Sequence, residues 1–126
     1  MKEQIISRIA IILLALVMAV FGVYHFIYPQ NLVGYVPSFL PAAGNLWVYI
    51  PGAAFILTAI AFITNKMVKT AAYLLAVLLF IFVLTIHLPN FLYAGDPEVR
   101  QSEFINLLKD TAIAAFALHI ASNSPN

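Results

Sequence analysis

Lys109 and Asp110 lie inside an otherwise apolar run, EFINLLKDTAIAAFALHIA, which spans Glu103 to Ala121. An ionised side chain at a helix centre in hydrocarbon costs about 2.5–3.5 kcal/mol on insertion scales, so such residues face a bundle interior or a wet cavity. At helical spacing Glu103, Asn106 and Asp110 fall at i, i+3 and i+7 and share one face. Lys109 flanks that stripe and points about 100° away from Asp110, so the two need not pair with each other. Two further titratable groups, His25 and His87, lie near the ends of other apolar stretches, shortly before Pro29 and Pro89. An imidazole beside a carboxylate in a low-dielectric pocket can pass protons, because histidine titrates near neutral pH. The candidates for proton exchange are therefore Asp110, His25 and His87, with either histidine able to partner Asp110. The candidates for ligand contact are Lys109, Asn106, Trp47 and Tyr49.

The same residues have plainer explanations. Lys109 can snorkel to the headgroups and leave Asp110 to hydrogen-bond a tyrosine. Polar residues near helix ends also fasten bundles, at about 0.6 kcal/mol per interhelical bond. His119 falls at the far end of the last run and reads as an interface residue. Two histidines at matched depth can ligate a haem, but no other haem signal accompanies them. A zinc site needs three or four ligands, and His25, His87 and Asp110 are the only plausible set. No metal is expected. There is no glycine-rich phosphate loop and no nucleophile elbow. The chain has no cysteine, which excludes thiolate and iron–sulfur chemistry within it.

Composition sets the environment. Hydrophobic residues make up 63% and charged residues 9%, against roughly 25% charged in soluble domains. Mean hydropathy is +0.98. An integral membrane protein embedded in a lipid bilayer follows. A net charge of +1 without a basic block gives no footprint for nucleic acid. Four spans are expected within a single domain, at about 5–28, 46–64, 70–88 and 104–121, each near the ~20 residues that cross a bilayer. The first has no small-residue cleavage site and reads as an uncleaved helix. Pro29–Asn45, rich in proline and uncharged, is expected to lie in the interface as a short helical turn plus extended pieces. Tyr35 and Phe39 would then dip into the headgroup boundary. Tyr93–Ser102 reads as a polar loop, and the residues after Ser122 as a short disordered tail.

The expected fold class is all-α, a four-helix transmembrane bundle. Four spans put both termini on one side with Lys2, Arg8, Lys66 and Lys69. The positive-inside rule makes that side cytoplasmic, and a bacterial plasma (inner) membrane is the expected location. His25, Trp47, Tyr49, His87, Asn106, Lys109 and Asp110 would then converge in the outer half. Asp110 falls about 9 Å below a helix start at Phe104. Ala112, Ala114, Ala115, Ala117 and Ala121 allow close helix approach, within the chain or in a homo-oligomer.

Four stretches, YHFIYPQNLVGYVPSFLP, LWVYIPG, IHLPNFL and NLLKDTAIAAFAL, taken in order over nearly the whole chain, resemble DoxX-like small four-helix membrane proteins. The resemblance implies that His25, His87, Lys109 and Asp110 match the family's polar pattern. It also implies either of two roles: a subunit of a quinone-linked membrane redox system beside other membrane or redox subunits, or a non-catalytic chaperone or complex-assembly subunit. In the first role Lys109 polarises a quinone carbonyl, and no cofactor other than quinone is expected. One departure stands out. Related sequences often carry an acid early in the second span, where this chain has Phe55 in GAAFIL.

Overall fold

The computed structural model describes residues 2–125, and among them there is no strand. Helix α1 covers Lys2–Ile27 and ends before Tyr28, whose backbone (φ −124°, ψ 52°) has left the helical region ahead of Pro29. A single turn α2, Pro29–Leu32, and a 3-10 turn, Val33–Tyr35, begin the connection to α3, Leu46–Thr64. Helix α4, Val68–Phe82, runs through a π turn, Val83–His87, into α5, Leu88–Tyr93. Helix α6 is Pro97–Ser122. The chain is therefore all-α, and four helical stretches are long and apolar enough to cross a membrane: Lys2–Ile27, Leu46–Thr64, Val68–Tyr93 and Pro97–Ser122.

Two boundaries differ from the sequence expectation, each for a local reason. The third stretch continues to Tyr93 instead of stopping near Pro89. The π turn bonds the Leu88 N–H to the Val83 carbonyl, one residue further back than in an α-helix, and this widening accommodates the missing proline N–H. The last helix starts at Pro97, not Phe104, so most of the expected polar loop is helix. Asp96 caps it by accepting the Glu98 N–H at 2.9 Å, with Pro97 in the first turn and Glu98 near the positive end of the helix dipole. Asp110 is consequently about 20 Å from the helix start, at mid-helix. Of the tail expected after Ser122, Asn123 and Ser124 donate back to the last carbonyls of α6, and Asn126 lies outside the described residues.

The helices associate as two close pairs, α1 with α3 and α4 with α6. The first pair meets at Gly22 and Gly52. A Cβ on Gly22 would stand 2.8 Å from the Gly52 carbonyl oxygen, and one on Gly52 would stand 2.7 Å from the His25 Cβ. Small residues let backbones approach closely where lipid supplies no hydrophobic drive. The second pair uses Ala72, Ala76, Ala114, Ala117 and Ala121, all fully or almost fully buried. Outward positions such as Val20, Leu57, Leu74, Val77 and Leu84 are large and apolar, as contact with hydrocarbon requires.

One end of the bundle is tied by Arg8, which donates to the Phe62 and Ile63 carbonyls at 2.7 and 2.8 Å. These are among the last carbonyls of α3, which carry the negative end of its dipole; Phe62 also accepts the Asn65 N–H at 3.3 Å. Asn65, with φ 58°, ends α3 in the left-handed conformation, and the turn containing it lies beside Ser124 and Pro125. The beginning of α1, the turn after α3 and the end of α6 thus share one end of the molecule. The Pro29–Asn45 segment and the α5–α6 junction lie at the other.

Replacing Gly52 with valine should lower the melting temperature in detergent, since overpacking of this kind costs about 1–3 kcal/mol. Gly34→Ala should leave it unchanged, because nothing lies within 4 Å of its added methyl.

Candidate functional site

The π turn and α6 together build a buried polar cluster. His87 ends the π turn and sits against the i, i+3, i+7 stripe of α6. Its Nδ1 is 3.2 Å from Glu103 Oε1 and its Nε2 is 3.1 Å from Asp110 Oδ2, so one imidazole bridges two carboxylates two turns apart. Asn106, on the same stripe, donates to Glu103 Oε1 at 2.9 Å, and Asn90 in α5 donates to Glu103 Oε2 at 2.7 Å. Glu103 is 1% exposed and Asp110 5%. Carboxylates that far from water need partners in hand, and among the described residues no buried side-chain nitrogen or oxygen lacks one.

Lys109 extends the cluster outward. Its Nζ lies 3.7 Å from Asp110 Oδ1 and 5.1 Å from the centre of the Phe21 ring on α1. Asp110 and Lys109 each meet a group on another element, His87 and Phe21, and the two also meet each other, because a long side chain folded back over an aromatic face reaches its neighbour's carboxylate.

Asp110, His87, Lys109 and Asn106 form the polar wall of a cavity of about 710 Å³. The cavity occupies the gap between the two helix pairs, and its other walls are mainly apolar, with Tyr24, His25 and Thr85 among them. Phe55 meets Phe82 across the gap with ring centres 6.2 Å apart, and Phe21 meets Phe55 at 6.4 Å within the first pair. Tyr35, Val36, Pro37 and Phe39 of the connecting segment line it from the end. Trp47 fixes that segment by donating its indole N–H to the Pro41 carbonyl at 2.7 Å. Such a volume, apolar with a few convergent polar groups, suits a small-molecule site.

The sequence candidates separate clearly. His87, not His25, is the partner of Asp110. His25 lines the cavity, but its Nδ1–H donates to the Phe21 carbonyl at 2.6 Å and its ring edge meets Phe55 at 5.3 Å. Position 55, expected from the resemblance to carry an acid, is instead a nearly buried ring against His25. Trp47 lines the cavity, while Tyr49 stacks on Phe26 at 5.2 Å and is not among the lining residues. The sequence puts Glu103 on the stripe without marking it as a candidate, and spacing alone does not point to Asn90 or Phe21. The Asp-Pro-Glu start of α6 was the signal that would have put Glu103 well inside the helix. Both His87 nitrogens face carboxylates, so neither is free for haem ligation. Among the described residues no group of three His, Asp or Glu side chains is placed to hold a metal ion.

A family model, Domain of unknown function (DUF8561), matches residues 14–121. The chain belongs to the DUF8561 family. No curated protein and no solved structure matches it. The matched DUF8561 region includes every cluster residue and every cavity-lining residue named here.

Removing the imidazole leaves two buried carboxylates facing an empty space, a change that costs about 3–5 kcal/mol for buried ion pairs. His87→Leu should therefore be strongly destabilised in a detergent melt. The double variant His87→Leu with Glu103→Leu should recover part of the loss, the non-additivity expected of residues in one network. Lys109→Met should cost much less than His87→Leu, because its side chain is 44% exposed.

Proposed function

We propose that the chain is a quinone-binding subunit of a membrane redox system, with the quinone ring held in the cavity between the helix pairs. The observation that carries this is a mainly apolar cavity of about 710 Å³ with the Lys109–Asp110–His87 group along one wall. A quinone is a flat apolar ring with two carbonyl acceptors. Lys109 has donors to spare beyond its Asp110 contact, and one of them polarises a carbonyl. Phe21, Phe55 and Phe82 supply ring faces. Asp110, hydrogen-bonded to His87, supplies or receives the proton that accompanies quinone reduction or quinol oxidation. Electrons come from or go to another subunit or a bound substrate, since the chain itself contains no cysteine and no metal cluster is expected in it. The DoxX-like resemblance is compatible with this role and equally with the second one below. In this proposal the bundle sits in a bacterial inner membrane with both termini cytoplasmic, as Lys2, Arg8, Lys66 and Lys69 at one end favour. The proline-rich segment then lies at the outer interface.

A second role is favoured by a different observation. Every buried side-chain nitrogen and oxygen among the described residues is already partnered, and the His87 cluster joins α5 and the π turn to α6. A non-catalytic assembly subunit or membrane chaperone would need that cluster only as bundle glue.

Purified protein with a soluble short-chain quinone separates the two. At 100 times its Kd a single-site ligand stabilises by about 2.7 kcal/mol. The redox role predicts a saturable rise in melting temperature that Asp110→Asn abolishes while still folding. The absence of a shift with any quinone, alongside a large stability loss in Asp110→Asn, favours the assembly role.

A further inference from the structure

We infer that the Glu103–His87–Asp110 group is a one-proton store, and that quinone binding in the adjoining cavity is coupled to its filling. The inference rests on the quinone-binding role proposed above. It follows from counting hydrogens. Glu103 accepts an amide N–H on each of its oxygens, from Asn106 on Oε1 and from Asn90 on Oε2, as an ionised carboxylate does. Its contact with His87 Nδ1 at 3.2 Å is then a hydrogen bond donated by Nδ1–H to a carboxylate. The opposite nitrogen, Nε2, lies 3.1 Å from Asp110 Oδ2, and that contact also needs a hydrogen between its two atoms. Two bonds need two protons, while a neutral imidazole between two carboxylates has one. The arrangement therefore holds one extra proton, on Nε2 or on Asp110. Glu103 is the positioning residue: it fixes a proton on Nδ1 and leaves the exchangeable one on the cavity side.

The charges around His87 support this assignment. From α6 it faces Glu103 and Asp110, with Lys109 beyond Asp110. From α5 the neutral Asn90 lies behind Glu103. From α3 the apolar Phe55 lines the same cavity, and from α1 His25 does so with its Nδ1–H already donated to the Phe21 carbonyl. With the extra proton, two carboxylates balance one imidazolium and one ammonium, and the cavity wall is neutral. Without it, Nε2 and the Asp110 carboxylate present facing lone pairs and the wall carries a net negative charge. A ligand with carbonyl acceptors is favoured by the filled state and repelled by the empty one.

The test is the Kd of a short-chain ubiquinone, measured by calorimetry on the full chain in detergent from pH 5 to pH 10. Two buffers of different ionisation enthalpy give the protons taken up per quinone bound. The expected result is an affinity that is flat at low pH and then weakens by up to tenfold per pH unit above a break point, with uptake approaching one proton there. His87→Gln should abolish the slope. Glu103→Gln, which keeps an acceptor for Nδ1 but removes its charge, should move the break point, and it serves if His87→Gln does not fold. Binding with no pH dependence and no proton uptake overturns the inference and leaves the quinone site standing. A slope that survives His87→Gln, or a break point unmoved by Glu103→Gln, assigns the proton elsewhere and overturns it. No binding at any pH removes the quinone site and the coupling together.

Discussion

One imidazole held between two carboxylates of the same helix is the constraint on which the rest of this molecule depends. Glu103 and Asp110 are two turns apart on α6, and only a side chain entering from the facing stretch can bridge them. The π turn delivers it. By spending an extra residue at Val83–His87 it brings His87 to α6 and lets Asn90 follow onto Glu103, while Pro89 passes without breaking the helix. π turns of this kind recur at functional sites, and here the irregularity, the proline and the buried histidine have a common purpose.

The cavity is a consequence of how tightly the rest is packed. Glycine contact draws α1 onto α3, and an alanine face draws α4 onto α6. Each pair is close within itself, so space remains between the pairs. Phe55 and Phe82 meet across that space and Lys109 reaches across it to Phe21. The polar cluster then has an apolar chamber on one side and amide partners on the other. Such an environment strengthens every interaction made inside it and penalises any group left unpaired.

Much of this was legible from residue types alone. The four apolar stretches, the weight carried by Lys109 and Asp110, and the shared face of Glu103, Asn106 and Asp110 follow from hydropathy and helical period. The two boundaries that differ have separate causes: Pro89 reads as the close of the third stretch, and Asp96, Glu98 and Arg100 read as a polar loop. Pro89 is absorbed by a π turn, and Pro97 opens a helix behind its Asp96 cap. Misplacing that start put Asp110 near a helix end when it is at the middle. It also left Glu103 near the boundary of a loop when it is the most deeply buried acid. Choosing between His25 and His87 required the rotation of each helix about its axis, which spacing within one segment does not supply. The stacking of Tyr49 on Phe26, away from the cavity, depended on the same unknown.

The central claim is the protonated bridge, and nitrogen-15 NMR of the His87 ring in lipid tests it most directly. With the ring labelled and Glu103 and Asp110 carbon-13 labelled, Nδ1 should carry a proton and lie close to the Glu103 carboxyl carbon. Nε2 should share a proton with Asp110. A bare Nδ1, or a ring near neither carboxylate, would contradict the account.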